Sequence, residues 1–153
     1  MADPDLAQIL SDSIEEATPH TRNVFGGSRA MSADETQSFL HDTHVGLVTT
    51  IARSGAPHVT AVYILALESR LYFGTFKRTA LYRNLRRDPR VAIAAVELPW
   101  KRHVFVHGSV RFLSPADSEE IDRVRASQRE RFGGERGAVL CEVVPTKIFT
   151  WKM

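Results

Sequence analysis

Gly74-Thr75-Phe76-Lys77-Arg78-Thr79-Ala80-Leu81-Tyr82-Arg83-Asn84-Leu85-Arg86-Arg87-Asp88-Pro89-Arg90-Val91 is the stretch on which the fold turns. It opens as the end of an apolar, aromatic run, Leu71 to Thr75, that predicts a strand. Residues 78–87 then change period. Leu81 and Leu85 stand one helical turn apart and mark a buried stripe, with arginines on the other face. Asp88-Pro89 ends the helix, because proline disfavours helical backbone in the residue before it. Arg90 to Glu97 follows as a strand that is apolar almost throughout.

Upstream of this stretch, Val45 to Ala52 is rich in β-branched residues, Ser54-Gly55-Ala56 is a turn, and Pro57 to Leu65 is a second strand. The two form a hairpin. Glu68-Ser69-Arg70 is the polar turn into the strand at 71–75. Downstream, Pro99 and Trp100 lie in a loop and His103 to Phe112 is a fifth strand. Ser114-Pro115-Ala116-Asp117 starts a helix with a cap, a proline and an acid, and Gly133-Gly134 ends it after Phe132. Ala138 to Val144 and Lys147 to Trp151 read as the last strands, separated by Pro145. Near the N-terminus, Asp3-Pro4 predicts a helix start, and Leu6, Ile9, Leu10 and Ile14 recur with helical spacing. Residues 18–31, with Pro19, Gly26 and Gly27, read as a connector. Ser32-Ala33-Asp34-Glu35 is a capping box before a short helix carrying Phe39 and Leu40.

These elements predict a mainly β, α+β fold: a six- to seven-stranded antiparallel split β-barrel with short flanking helices. Hairpin-length connections favour antiparallel pairing, and strands apolar on both faces, such as 90–97, need a closed or covered sheet. The organisation is one domain over 32–153, preceded by a helix and connector over 1–31. A chain of 153 residues, 43% hydrophobic and 25% charged, suits one core. A net charge of +2 and no interleaved aromatic platform argue against nucleic-acid binding. No run is long and apolar enough for a membrane helix. Cys141 is the only cysteine, lies in an apolar run and reads as a buried structural thiol. With an acidic start lacking the regions of a secretory leader, this points to the cytoplasm.

In their order, these features resemble the pyridoxamine 5′-phosphate oxidase-like family. The likeness covers roughly residues 33–153. Its most specific part is Asn84-Leu85-Arg86-Arg87-Asp88-Pro89-Arg90, which resembles the family's helix end leading into a strand. Gly55 to Val62 resembles the first hairpin, Val106-His107-Gly108-Ser109-Val110 a later barrel strand, and Ile148-Phe149-Thr150-Trp151 the closing strand. The resemblance implies a homodimer with flavin sites at the subunit interface and an oxidoreductase activity on a small molecule. The cofactor it implies first is FMN, with the deazaflavin coenzyme F-420 as the alternative and haem behind both. It places Thr75 and Thr79 at the cofactor phosphate, Thr60, Ala61 and Val62 along the flavin ring, and Trp151 beside the ring.

The chain also departs from the family's pattern. Ala80 and Leu81 stand where the oxidases carry Arg-Lys, Thr60 replaces an arginine and Leu65 a lysine. Lys77, Arg78 and Arg83 are the neighbouring cations able to compensate. Charge-assisted contacts contribute about 1.5–3 kcal/mol each, so the missing ones argue against oxidation of pyridoxamine phosphate itself. They leave open a second class, a non-catalytic dimer that binds or stores a flavin or haem. Two histidine pairs, His41 with His44 and His103 with His107, have metal-like spacing but no accompanying Cys or Glu cluster, and read as structural or surface residues. His107 is the candidate if the ligand were haem iron. Trp100 reads as an interface or rim residue. No nucleophile–base motif supports hydrolysis or acyl transfer.

Overall fold

The computed structural model describes residues 5–99 and 101–153. The expected helix start at Asp3-Pro4 and the loop residue Trp100 lie outside them. Six strands are described: β1 (Val45–Ile51), β2 (Pro57–Leu67), β3 (Arg70–Thr75), β4 (Arg90–Glu97), β5 (Arg102–Phe112) and β6 (Val139–Lys152). They close into an antiparallel barrel in the order β1-β2-β3-β6-β5-β4. The helices are α1 (Leu6–Glu15), α2 (Pro19–Phe25), α3 (Ala33–Asp42), α4 (Ala80–Arg87) and α5 (Ser118–Phe132). This is the mainly β split barrel expected.

The local chemistry explains the boundaries. Asp5 caps α1 by accepting from the Gln8 N–H at 3.1 Å. Ser32 and Glu35 form the reciprocal capping box of α3, with Ser32 N donating to Glu35 Oε2 at 2.8 Å and Glu35 N to Ser32 Oγ at 3.1 Å. Gly133 ends α5 in the left-handed region at φ 73°, where a side chain would be strained.

Two expectations are corrected. Residues 18–31 are not simply a connector: Thr18 caps the two-turn helix α2, with Pro19 at its first position, and a 3-10 turn follows at Gly27–Arg29. The two closing strands are one. β6 runs continuously through Pro145, because a bulge absorbs the proline: His107 pairs with Lys147 and Gly108 with Pro145, so Thr146 is the extra residue.

The core fills the barrel interior, with Val48, Ile64, Phe73, Ile93, Val104, Val106, Cys141 and Ile148 all buried, and α1 and α3 pack against it. Burial pushes the Cys141 thiol up to about 12, so it is an inert apolar packing group. A second cluster lies outside the barrel, where Leu65, Tyr72 and Leu140 receive Val124 of α5. No helix among the described residues is long and apolar enough to cross a membrane.

Candidate functional site

β2 and β3 part company halfway along. Their ladder runs only from Ile64–Phe73 to Leu67–Arg70. The first seven residues of β2, Pro57 to Tyr63, pair with β1 alone. One backbone edge of that segment is therefore left without a strand. The chain leaving β3 turns through Thr75–Thr79 into α4 and faces this edge. The result is an open cleft of about 350 Å³ lined by His58, Thr60, Ala61, Val62, Gly74, Thr75, Phe76, Thr79, Ala80 and Leu81. No carboxylate is among these residues.

The turn at one wall is built around hydroxyls. Thr79 caps α4, its Oγ1 accepting from the Tyr82 N–H at 3.1 Å. The Thr79 hydroxyl donates to the Phe76 carbonyl at 2.8 Å and lies 2.9 Å from the Thr75 hydroxyl. Hydroxyl hydrogens rotate to suit a partner, so both can turn toward an anion. Ala80 and Leu81 open the helix, and their N–H groups have no acceptor within it. An eight-residue helix also directs its positive dipole end here.

α4 is fixed from below. Leu81 and Leu85 are buried, as their spacing predicts, but Asn84 between them is buried too, at 6% exposure. Asn84 Nδ2 donates to Thr50 Oγ1 of β1 at 3.1 Å, and Asn84 Oδ1 accepts from Arg87 at 3.1 Å. Arg87 also donates to the Ile51 carbonyl at 2.8 Å. Arg90 closes on Asp88 at 2.6 Å and holds that carboxyl down to about 2. The Asn84 to Arg90 motif is thus the clamp that sets the helix on the barrel.

The expected site residues divide. Thr60, Ala61, Val62, Thr75 and Thr79 come together around the cleft. The three compensating cations do not line it. Lys77 lines a separate groove with Tyr82, Arg86, Phe112 and Arg125. Arg78 lies over the Phe76 ring at 4.5 Å, which keeps it at the rim. Arg83 donates to the Arg78 carbonyl at 2.9 Å and so braces the turn.

Trp151 belongs to a different region. Its ring stacks on His103 at 5.1 Å and 6°, and Arg29 covers it at 5.7 Å. Thr75 pairs with Val139 at one end of β6, whereas Trp151 pairs with His103 near the other. Twelve residues separate them, on the order of 40 Å along a straight strand. His107 is exposed and edges Phe149 at 6.2 Å. Among the described residues no three His, Cys, Asp or Glu gather as a metal set.

The residue that sequence reading passed over is His58. The alternation of β2 puts positions 58, 60 and 62 on one face, and that signal was available. A smaller hollow at the other end of the barrel, about 40 Å³ beneath Leu6, Ile9 and Leu40, has room for little more than a water or two.

Residues 32–152 match the family model described as pyridoxamine 5′-phosphate oxidase. No curated protein sequence matches the chain. Solved structures do. A conserved hypothetical protein of Mycobacterium tuberculosis superposes with a TM-score of 0.70 at 24% identity, over 82% of this chain and 88% of that one. An F-420 reductase gives 0.59 at 23% identity, over 73% and 94%. A FAD-binding protein of Mesorhizobium loti gives 0.62 at 20%, over 80% and 96%.

Proposed function

Because the chain belongs to the pyridoxamine 5′-phosphate oxidase family, we propose that it is a flavin- or deazaflavin-dependent oxidoreductase acting on a small molecule as a cytoplasmic homodimer. The observation that carries this is the cleft itself: a strand edge without a neighbour on one side and a hydroxyl-bearing helix start on the other. A strand edge offers alternating N–H and C=O groups to the polar rim of a planar heterocycle. The Thr75–Thr79 turn suits the phosphate of its tail. FMN is the first choice and coenzyme F-420 the second; a FAD-binding protein and an F-420 reductase share the fold. A bound flavin or deazaflavin supplies the electron-transfer chemistry. The chain's part is to bind and orient it, with Thr60, Ala61 and Val62 along the ring and Thr75 and Thr79 at the phosphate. Arg78 stands at the rim, with Lys77 and Arg83 further out.

The dimer follows from two features. The outer face of β4-β1-β2 carries Val45, Leu47, Val59, Tyr63 and Val96 exposed, with Leu47 48% and Val59 60% accessible. A contiguous apolar sheet face in water calls for a cover. A second copy is the occupant we propose, because it also brings Trp151. That residue is too far along β6 to reach its own cleft, so an aromatic beside the ring has to come from the partner.

A second reading is favoured by the uncharged positions Ala80 and Leu81: a dimer that binds a flavin or haem without turnover. Visible spectra of the purified protein with FMN, F-420 and haem separate the readings. Flavin or deazaflavin bound at micromolar concentration and reducible by a nicotinamide donor supports the enzyme. A bound but inert cofactor supports the binding protein, and no binding of FMN or F-420 at tens of micromolar sinks the oxidoreductase.

A further inference from the structure

His58 brings to the cleft a polar ring atom that nothing among the described residues uses. Its Nδ1 is fully buried and has no hydrogen-bond partner among the described residues. Buried polar atoms in folded proteins are nearly always paired, so an orphan needs an explanation. The position supplies one, because the ring is only half-buried and turning it over exchanges Nδ1 with Cδ2 and presents the nitrogen to the cleft. His58 lies two residues before Thr60 on β2, on the same face, and lines the cleft with Thr75, Thr79 and Ala80. It pairs across the sheet with Thr50, the residue whose hydroxyl anchors Asn84 of α4. The pairing sets His58 beside the middle of α4, and the cleft it lines extends to Thr79, Ala80 and Leu81 at the start of that helix. Of the three sequence-expected cations, Lys77 lines a separate groove, Arg83 is tied to the Arg78 carbonyl, and Arg78, over the Phe76 ring, stands only at the rim.

We propose that His58 is the phosphate-binding side chain of this cleft, donating from its ring to the phosphate ester that Thr75, Thr79 and the α4 N-terminus hold. It stands in for the cations missing at Thr60, Ala80 and Leu81. This rests on the reading above that a flavin or deazaflavin binds here. Both carry a phosphate, and the same residue serves either.

The test compares ligands that differ only in that phosphate. FMN and riboflavin are titrated by fluorescence against the wild-type protein, His58→Ala and His58→Gln, and F-420 is titrated against the same three proteins. The expected result is a loss of FMN affinity in His58→Ala on the order of tenfold to a hundredfold, as for one charge-assisted contact. Riboflavin affinity stays unchanged, and His58→Gln, which keeps an N–H donor, recovers part of the difference. Equal losses for FMN and riboflavin would mean that His58 only supports the wall, and unchanged FMN affinity would remove it from the site; either overturns the proposal. If the wild type binds no flavin or deazaflavin, the oxidoreductase reading fails separately. Inorganic phosphate is then titrated into labelled wild-type protein and followed at the His58 ring resonances. A saturable shift that Thr79→Ala abolishes keeps the phosphate site, and no shift overturns it.

Discussion

At the scale of single residues, two side chains do most to shape the cleft. Thr79 is at once the cap of α4 and half of the hydroxyl pair. Thr79→Ala removes one side chain from two roles. We expect a stability loss of about 1 kcal/mol from the lost cap, seen in urea unfolding, together with weaker FMN binding in the same fluorescence titration. A variant that loses the stability but binds FMN as before would put the phosphate elsewhere. Asn84 acts one layer below. Removing its amide leaves Thr50 buried without its donor and Arg87 without one of its acceptors. Asn84→Ala is expected to cost about 1–3 kcal/mol, and to affect cofactor affinity only through the placement of α4.

At the scale of elements, α5 is fastened to the barrel by a compact ionic network. Arg111 of β5 donates to Asp117 at 3.0 Å, to Glu120 at 3.1 Å and to Glu142 at 2.6 Å. Arg70 reaches Glu120 at 3.3 Å and Glu142 at 3.4 Å. The buried Tyr72 hydroxyl donates to Glu120 at 2.6 Å, and burial together with that carboxylate pushes the phenol well up. Burial alone would raise the Glu120 carboxyl; the Tyr72 hydrogen bond and the two guanidinium groups outweigh it and hold the carboxyl below its ordinary value of 4.5. Asp117 is likewise held below 3.8, by the Ser114 N–H and by Arg111. Lowered carboxyls bind fewer protons folded than unfolded. Their stabilisation is therefore present in full above about pH 5 and is lost as the pH falls below 4.5 through the folded values. Thermal melts should decline over that acid range, and Glu120→Gln should flatten the decline. Tyr72→Phe should cost about 1.5–3 kcal/mol at neutral pH, the range for a hydrogen bond to a charged group. The entry of β6 has an equally specific demand. A side chain at Gly74 would place its Cβ 1.8 Å from the Arg136 carbonyl oxygen. Gly74→Ala should therefore destabilise the protein by about 1–3 kcal/mol and disturb the cleft it lines, measurable as a lower unfolding midpoint and weaker FMN binding.

At the scale of the whole molecule, the barrel has one outer face covered by α5 and another left apolar. Leu47 and Val59 sit near the centre of the second, on adjacent strands, with neither in the core. The double variant Leu47→Glu, Val59→Glu should therefore leave the barrel folded by circular dichroism. On the proposed dimer, light scattering should report one chain for the variant where the wild type gives two, because burying two carboxylates against an apolar face is strongly unfavourable. Cofactor binding should fall with the dimer if Trp151 serves the neighbouring cleft. A variant that stays dimeric would show that the copies meet through another face.

Much of this was legible in the chain. Period-2 runs, turn residues and the Asp88-Pro89 stop specify five of the strands and the α4 and α5 helices, because those are local preferences written over a few residues. The same locality misled at two places. Pro145 reads as a break, yet the bulge opposite Gly108 lets β6 pass through it; a proline's cost depends on what its partner strand tolerates. Pro19 reads as a connector residue, yet Thr18 makes it a helix start. Residue types suitable for a phosphate site were also visible, since Thr75, Thr79 and a helix start lie together in sequence. What only the tertiary structure decided is direction. Lys77, Arg78 and Arg83 are neighbours of the cleft in the chain, but Lys77 faces a separate groove, Arg83 is held by the Arg78 carbonyl, and Arg78 stays over Phe76 at the rim. His58, seventeen positions before Thr75, is brought in because β2 leaves β3 at Ile64 and exposes its inner face there. A sequence fixes which groups are available and the period on which they repeat; closure of the sheet sets which of them share a cavity.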